Sequence, residues 1–337
     1  MTDESSLASY LSVAMTTTGM TQNAGGNTVV PSSPGVTEFY LQCAALVIGI
    51  VGTAQNAVII YALVASKQHK KQVLIFYQNG LDFFTSFFMI IIYSAKIGKI
   101  CFSGPVGYWL CVLIANENVI WYPYTCAIVN LATITVERYL KVVHPVWSKN
   151  NLRNWMRYSA IAISSSVIFI TNLVLHMPLN AVIDGVCHPS VLWPSKTAML
   201  THRVLSVIVY YVNIIIIFIY CYWRILLVIR RQARVTAGSS AAQAQSNKTR
   251  NNVVKTMVIV SGFYTILWLP AYICLFVMIV NPQAVAIDSF YYGAAFLAHS
   301  YMIINPFVYA ISFDPVKRVL LEMIPCKKTP AQVIEGT

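Results

Sequence analysis

The chain has 337 residues, of which 57% are hydrophobic and only 10% charged, and it carries a net charge of +12. A soluble domain has about 25% charged residues, so this composition excludes an ordinary soluble globule. The basic balance would suit nucleic acid, but the placement of the charges points to the two faces of a membrane.

Residues 1–37 are rich in Ser, Thr and Gly and lack both a basic start and an apolar run. No cleavable signal is expected there, and the segment reads as a disordered extracellular tail. Apolar blocks follow. The first, between Glu38 and Lys67, contains no charged residue; the second, between Lys71 and Lys96, contains only Asp82. The third covers 118–136, the fourth 158–183 and the fifth 204–223, all without charge. Between Lys255 and Asp314 only Asp288 interrupts, which leaves room for two spans with Asn281-Pro282 at their turn.

Crossing the hydrocarbon takes roughly 20 apolar residues as helix. In lipid every backbone N–H and C=O needs a partner within its span, so these blocks must be helical. The expected fold is an all-α membrane protein, a seven-transmembrane helix bundle over 38–313. Short loops make successive helices antiparallel neighbours. The longest inner loop, 231–250, is Ala/Ser/Gln-rich and expected to be flexible. The longest outer loop runs over 179–202. Asp314-Pro315-Val316-Lys317-Arg318-Val319-Leu320-Leu321 reads as a short amphipathic helix on the inner membrane surface. Residues 314–337 then form that helix and a cytoplasmic tail.

Alternating the spans places 18 Lys and Arg on one side and only Lys96, Lys99, Lys196 and Arg203 on the other. The rich side is cytoplasmic by the positive-inside rule, with the N-terminus outside and the C-terminus inside. That face suits anionic lipid headgroups and an acidic cytosolic partner. Cys43, Cys126, Cys221 and Cys274 lie inside spans and read as packing residues. Cys111 and Cys187 both face an oxidising compartment, where a bridge between them would persist; Cys101 competes for the same partner. Cys326, beside Lys327 and Lys328, is a candidate for palmitoylation.

Five motifs fall in order on these spans: Asn56 after Gly52, Asp82 in Asn79-Gly80-Leu81-Asp82, Glu137-Arg138-Tyr139 with His144-Pro145, Trp268-Leu269-Pro270, and Asn305-Pro306-Phe307-Val308-Tyr309. Together they resemble the rhodopsin-like (class A) G-protein-coupled receptors over roughly residues 39–326. The resemblance implies a cell-surface receptor that binds an extracellular ligand and activates a heterotrimeric G protein. It assigns Glu137, Arg138, Tyr139, Tyr222, Arg250 and Tyr309 to G-protein coupling, and Asn56, Asp82, Trp268, Pro270, Asn305 and Pro306 to the activation switch. Pro270 and Pro306 remove helix hydrogen bonds and kink their spans. In the family, ligand shifts packing at the tryptophan matching Trp268, the inner end of the sixth helix swings out, and Tyr222 and Tyr309 move toward Arg138. Arg138 is held closed by its neighbouring acid; a second acid is found in some members where this chain has Arg250.

Asp82, an acid in mid-membrane, is a functional candidate by cost alone. With Asn56 and Asn305 it is expected to form a polar cluster. The family aspartate often helps hold sodium, but Ala127 stands where a hydroxyl is usual. Other departures are Ile214 in place of proline, no tryptophan in the fourth span, and two extra residues with Pro123 between Cys111 and Arg138.

A ligand pocket is expected among Glu117, Trp121, Tyr122, Tyr210, Tyr272, Tyr292 and His299 in the outer halves. Glu117 could meet a cationic ligand, or pair with Lys96 or Lys99. No lysine lies between Lys255 and Lys317, which excludes a retinal Schiff base. No Asp lies in the outer third span, which discounts a biogenic-amine receptor. A peptide receptor is the surviving expectation, with a small cationic molecule as the alternative. A transporter would call for repeated halves and broken helices; a non-signalling receptor would call for loss of the Glu137-Arg138-Tyr139 motif. No nucleophile–base set and no metal-spaced His/Cys pattern is present, so no enzyme, cofactor or metal is expected.

Overall fold

The computed structural model describes residues 36–98, 104–115, 117–183, 186–188, 192–235, 241–280, 288–312 and 314–323. Helix α1 is Val36–Ala65 and α2 is Val73–Ile97. They pack closely because α1 carries glycines at the contact. A Cβ on Gly52 would lie 2.5 Å from Ser86 Oγ, and one on Gly49 would lie 3.0 Å from the Ser86 carbonyl oxygen.

The third span is not one helix. Helix α3, Gly104–Leu110, runs into a π-helical turn at Cys111–Ala115, and α4, Asn118–Val143, starts after a break. Glu117 sits at that break with φ 58°, in the left-handed region, which is strained for a non-glycine residue. The wide turn and the break absorb the two extra residues between Cys111 and Arg138, so α4 below Pro123 is regular helix. A seven-residue helix, α5, Pro145–Asn151, follows on the inner side.

The fourth span, α6, is Asn154–Ile168 with a π-helical continuation at Phe169–Val174. Beyond it β1, Ala181–Ile183, pairs antiparallel with β2, Val186–His188, with Val182 opposite Cys187. The fifth span begins at α7, Lys196–Val207, earlier than its apolar block suggests, because Ser195 Oγ accepts the Ala198 N–H at 3.1 Å and caps the helix. It passes through a π-helical stretch, Ile208–Val212, into α8, Asn213–Val235. The bulge stands immediately before Ile214 and breaks the regular ladder where the proline is missing.

The sixth span, α9, is Ala241–Val280. Its first turns occupy part of the loop expected to be flexible, and the Ala and Gln there have high helix propensity. Helix α10, Asp288–Ser312, is the seventh span, and α11, Asp314–Glu322, follows it. Among the described residues six helical stretches meet the length and composition of a membrane crossing, Glu38–Ala65 through Val254–Val277. The 25-residue α10 completes the bundle. On α11, Val316 is buried while Lys317, Arg318 and Glu322 are exposed, so the helix is two-faced as expected.

The core runs along the bundle axis through Met89, Tyr124, Leu131, Ile225, Met257, Tyr264, Tyr301 and Met302. Phe84, Ile163, Ile219, Trp223, Phe276 and Phe307 instead face outward. In water such a surface would aggregate; in hydrocarbon it is the solvated face.

Candidate functional site

At the inner end of α4 the Glu137 carboxylate is buried and accepts from Arg157 Nε at 2.6 Å and pairs with Lys141 Nζ at 2.7 Å. The Lys141 pair is the favourable i,i+4 order, acid before base. Arg157 also donates to Asn154 Oδ1. Arg138, one residue on, points elsewhere: its Nη2 donates to Gln72 Oε1 at 2.7 Å, at the start of α2. Tyr139 contacts His144 Nε2 at 3.3 Å.

Tyr222 ties three spans together. Its hydroxyl lies 3.0 Å from Thr135 Oγ1 on α4 and 2.8 Å from Ser261 Oγ on α9, and donates to the Met257 carbonyl at 3.1 Å. The sixth span is therefore fastened at its inner half to the third and fifth. The side chains of Arg250, Tyr292 and Tyr309, together with Cys101 and Cys326, lie outside the described residues.

In mid-bundle, Asp82 Oδ2 accepts from Asn305 Nδ2 at 3.0 Å and Oδ1 from Gln78 Nε2 at 3.4 Å. Asn130 Nδ2 donates to Gln78 Oε1 at 2.9 Å and extends the network to α4. The expected cluster is corrected in one member: Asn56 Nδ2 donates to Gly52 O of its own helix at 2.9 Å. Gln78 takes that place; it was legible as the residue four before Asp82, on the same helix face. Both Asp82 oxygens face N–H donors, and Ala127 packs against Leu81, Cys126 and Ile168 without offering a hydroxyl. That set suits a hydrogen-bonded carboxylate, and the Oδ1 of Asn305 beside it is buried without a hydrogen-bond donor.

The outer half centres on Trp268, two residues before the Pro270 that lies inside α9. Tyr124 meets its ring edge-on at 4.7 Å, and Tyr272, Tyr264 and Trp121 stand at 5.6, 6.1 and 6.3 Å. Tyr124 also donates to the Ala298 carbonyl of α10 at 2.5 Å, and Tyr211 stacks on Tyr272 at 4.1 Å. Above this layer Tyr93 bonds His299 Nε2 at 3.2 Å, and Lys96 Nζ meets Glu117 Oε1 at 2.5 Å. Lys96 also lies 5.3 Å from the Tyr93 ring centroid. Of the two fates open to Glu117, the Lys96 pair is the one the structure holds.

Two expected pocket residues stand apart from this group. Tyr122 packs edge-on to Phe169 at 5.7 Å, between the third and fourth spans. The Tyr210 hydroxyl reaches Thr171 of the fourth span at 3.5 Å. Tyr124 and Tyr211, adjacent or nearly so in sequence, take their places; the helix break and the π bulge set which tyrosine faces inward. Cys111 and Cys187 form a disulfide with Cα atoms 5.4 Å apart, which pins the β hairpin to the outer end of the third span.

Residues 55–309 match the family described as 7 transmembrane receptor (rhodopsin family). The chain is 25% identical over 284 residues to somatostatin receptor type 5 of Rattus norvegicus, covering 80% of this chain and 73% of that one. It is 23% identical over 286 residues to neuropeptides B/W receptor type 2 of Homo sapiens, covering 82% and 83%. The crystal structure of squid rhodopsin superposes with a TM-score of 0.72 at 15% identity, over 87% of this chain and 82% of that one.

Proposed function

Because the chain belongs to the rhodopsin family of seven-transmembrane receptors, we propose that its ligand enters over the β hairpin, acts on Trp268, and opens a cytoplasmic crevice in which Arg138 meets a heterotrimeric G protein. The observation that carries this reading is the Tyr222 hydroxyl, which fastens the inner halves of α4, α8 and α9. An outward swing of α9 must break the bonds to Ser261 and Met257, and the Tyr222 hydroxyl they release is then available to a partner. Trp268 lies on the same helix, between that fastening and the Tyr124–Tyr272–Trp121 layer, so a shift in the layer is felt along α9.

A peptide is the ligand class favoured. The relatives named above are receptors for somatostatin and neuropeptides by their names. Glu117 is occupied by Lys96, which weakens the small-cation alternative, since such a ligand would first have to displace an intramolecular ammonium. The lack of a lysine in α10 speaks against retinal. The termini are assigned N-outside and C-inside at the plasma membrane, on the excess of basic residues at the inner ends.

The deciding experiment is Arg138→Ala, compared with wild type for nucleotide exchange on a panel of G proteins at matched surface expression. Exchange should fall about tenfold or more while expression persists, because the arginine offers charge and donors to the partner and little packing. Undiminished exchange from the variant would overturn the assignment.

A further inference from the structure

The fourth and fifth spans meet at their outer ends through two histidines that are 26 residues apart in sequence. His176 follows the end of the fourth span and His202 lies in α7, and both are half-buried. Their Nε2 atoms are 3.2 Å apart, and their ring centroids are 4.7 Å apart at 68°. The Trp193 ring closes the third side, 6.0 Å from His176 and 5.3 Å from His202. The backbone under each ring is held: Asn180 Nδ2 donates to the His176 carbonyl at 2.8 Å, and Ser206 Oγ donates to the His202 carbonyl at 2.9 Å.

Two neutral imidazoles can share a hydrogen bond at this separation. A head-on N–H···N bond of that length would hold the centroids about 5.5 Å apart. Two rings whose nitrogens converge on one ion at about 2.0–2.1 Å, the zinc–imidazole distance, subtend about 100° at the metal and bring their centroids to about 5 Å. The 4.7 Å centroid separation is shorter than either, and the 3.2 Å between the nitrogens is the edge that an ion held by both rings would span.

We propose that His176 and His202 form an extracellular binding site for a zinc-class divalent ion, which ties the outer end of the fourth span to that of the fifth. The protein supplies two nitrogen ligands, and water completes the tetrahedron. Arg203, next to His202, places a positive charge near the ion and holds the affinity down. The bound ion restrains the fifth span above Tyr211, the residue stacked on Tyr272 in the aromatic layer. The site is independent of G-protein coupling, so its test needs no signalling readout.

The full-length receptor, purified in detergent, is heated with and without zinc chloride, with magnesium chloride as the oxygen-seeking control. An ion that binds only the folded state raises Tm with concentration, by about 5 °C near saturation. Zinc should do so and magnesium should not. His176→Gln and His202→Gln should each raise about tenfold or more the zinc concentration needed for a given rise in Tm, while His69→Gln leaves it unchanged. Cobalt(II) should give the visible absorption of a tetrahedral site of two nitrogens and two waters on wild type, which decides the matter even if a variant does not fold. No zinc effect on wild type, an effect retained in both glutamine variants, or a cobalt spectrum identical to that of the aqueous ion would overturn the site.

Discussion

The two ends of the third span carry one acid each, and they are built differently. Glu137, at the inner end, lies on regular helix and takes its cations from the next turn and from the neighbouring span, Lys141 and Arg157. Glu117, at the outer end, sits on a broken helix in the left-handed region and takes its cation from α2. At the inner end the ladder fixes where every side chain points, so sequence spacing translates into position. At the outer end a π turn, a strained residue and a disulfide fix it instead, and spacing misleads.

Removing the disulfide should show how far the outer end depends on a cross-link. Cys111→Ala opens a loop with 76 residues of separation, and the chain-entropy estimate for a loop of that size is about 4 kcal/mol. A large drop in Tm of the detergent-solubilised receptor is expected. An unchanged Tm would mean that the outer end is held by helix packing alone, as the inner end is.

Tyr222→Phe tests the inner end in the same way. The hydroxyl is buried with three partners, so its loss should lower stability by about 1–3 kcal/mol. The same unfolding measurement reads it, and a neutral result would show that the three spans are held without the tyrosine.

The Lys96–Glu117 pair should matter less, because Lys96 is 30% exposed and Glu117 18%. Glu117→Gln should cost about 1 kcal/mol or less. Exchanging the two residues, Lys96→Glu with Glu117→Lys, should recover most of the loss if the attraction is the cause. Failure of the exchange would trace the cost to the left-handed backbone at position 117.

The smallest effect is expected at Arg250. Brought near Arg138 in the closed receptor it would repel, at up to about 4 kcal/mol for bare charges 4 Å apart at an effective dielectric of 20, and by much less for long, wet side chains. Arg250→Glu should lower basal nucleotide exchange about threefold, a shift of about 0.7 kcal/mol. Equal basal rates in wild type, Arg250→Ala and Arg250→Glu would leave Arg250 as part of the solvated basic face.

The sequence alone determined the number of spans, their helical state, the amphipathic α11 and the positions of the inner motifs. These follow from local rules: lipid forces every backbone group to pair within its own helix, and uncharged blocks of about 20 residues mark where that happens. It took the packed bundle to set that Asp82 is served by Gln78 and not Asn56, that Tyr124 and Tyr211 face the aromatic layer in place of Tyr122 and Tyr210, that Glu117 belongs to Lys96, and that His176 meets His202. The reason is geometric. One extra residue in a helical turn rotates everything beyond it by about 100°, and the π turns at Cys111–Ala115, Phe169–Val174 and Ile208–Val212 do this in three of the spans around the outer half. Composition does not mark those turns, and contacts between residues far apart in sequence leave no periodic trace in it.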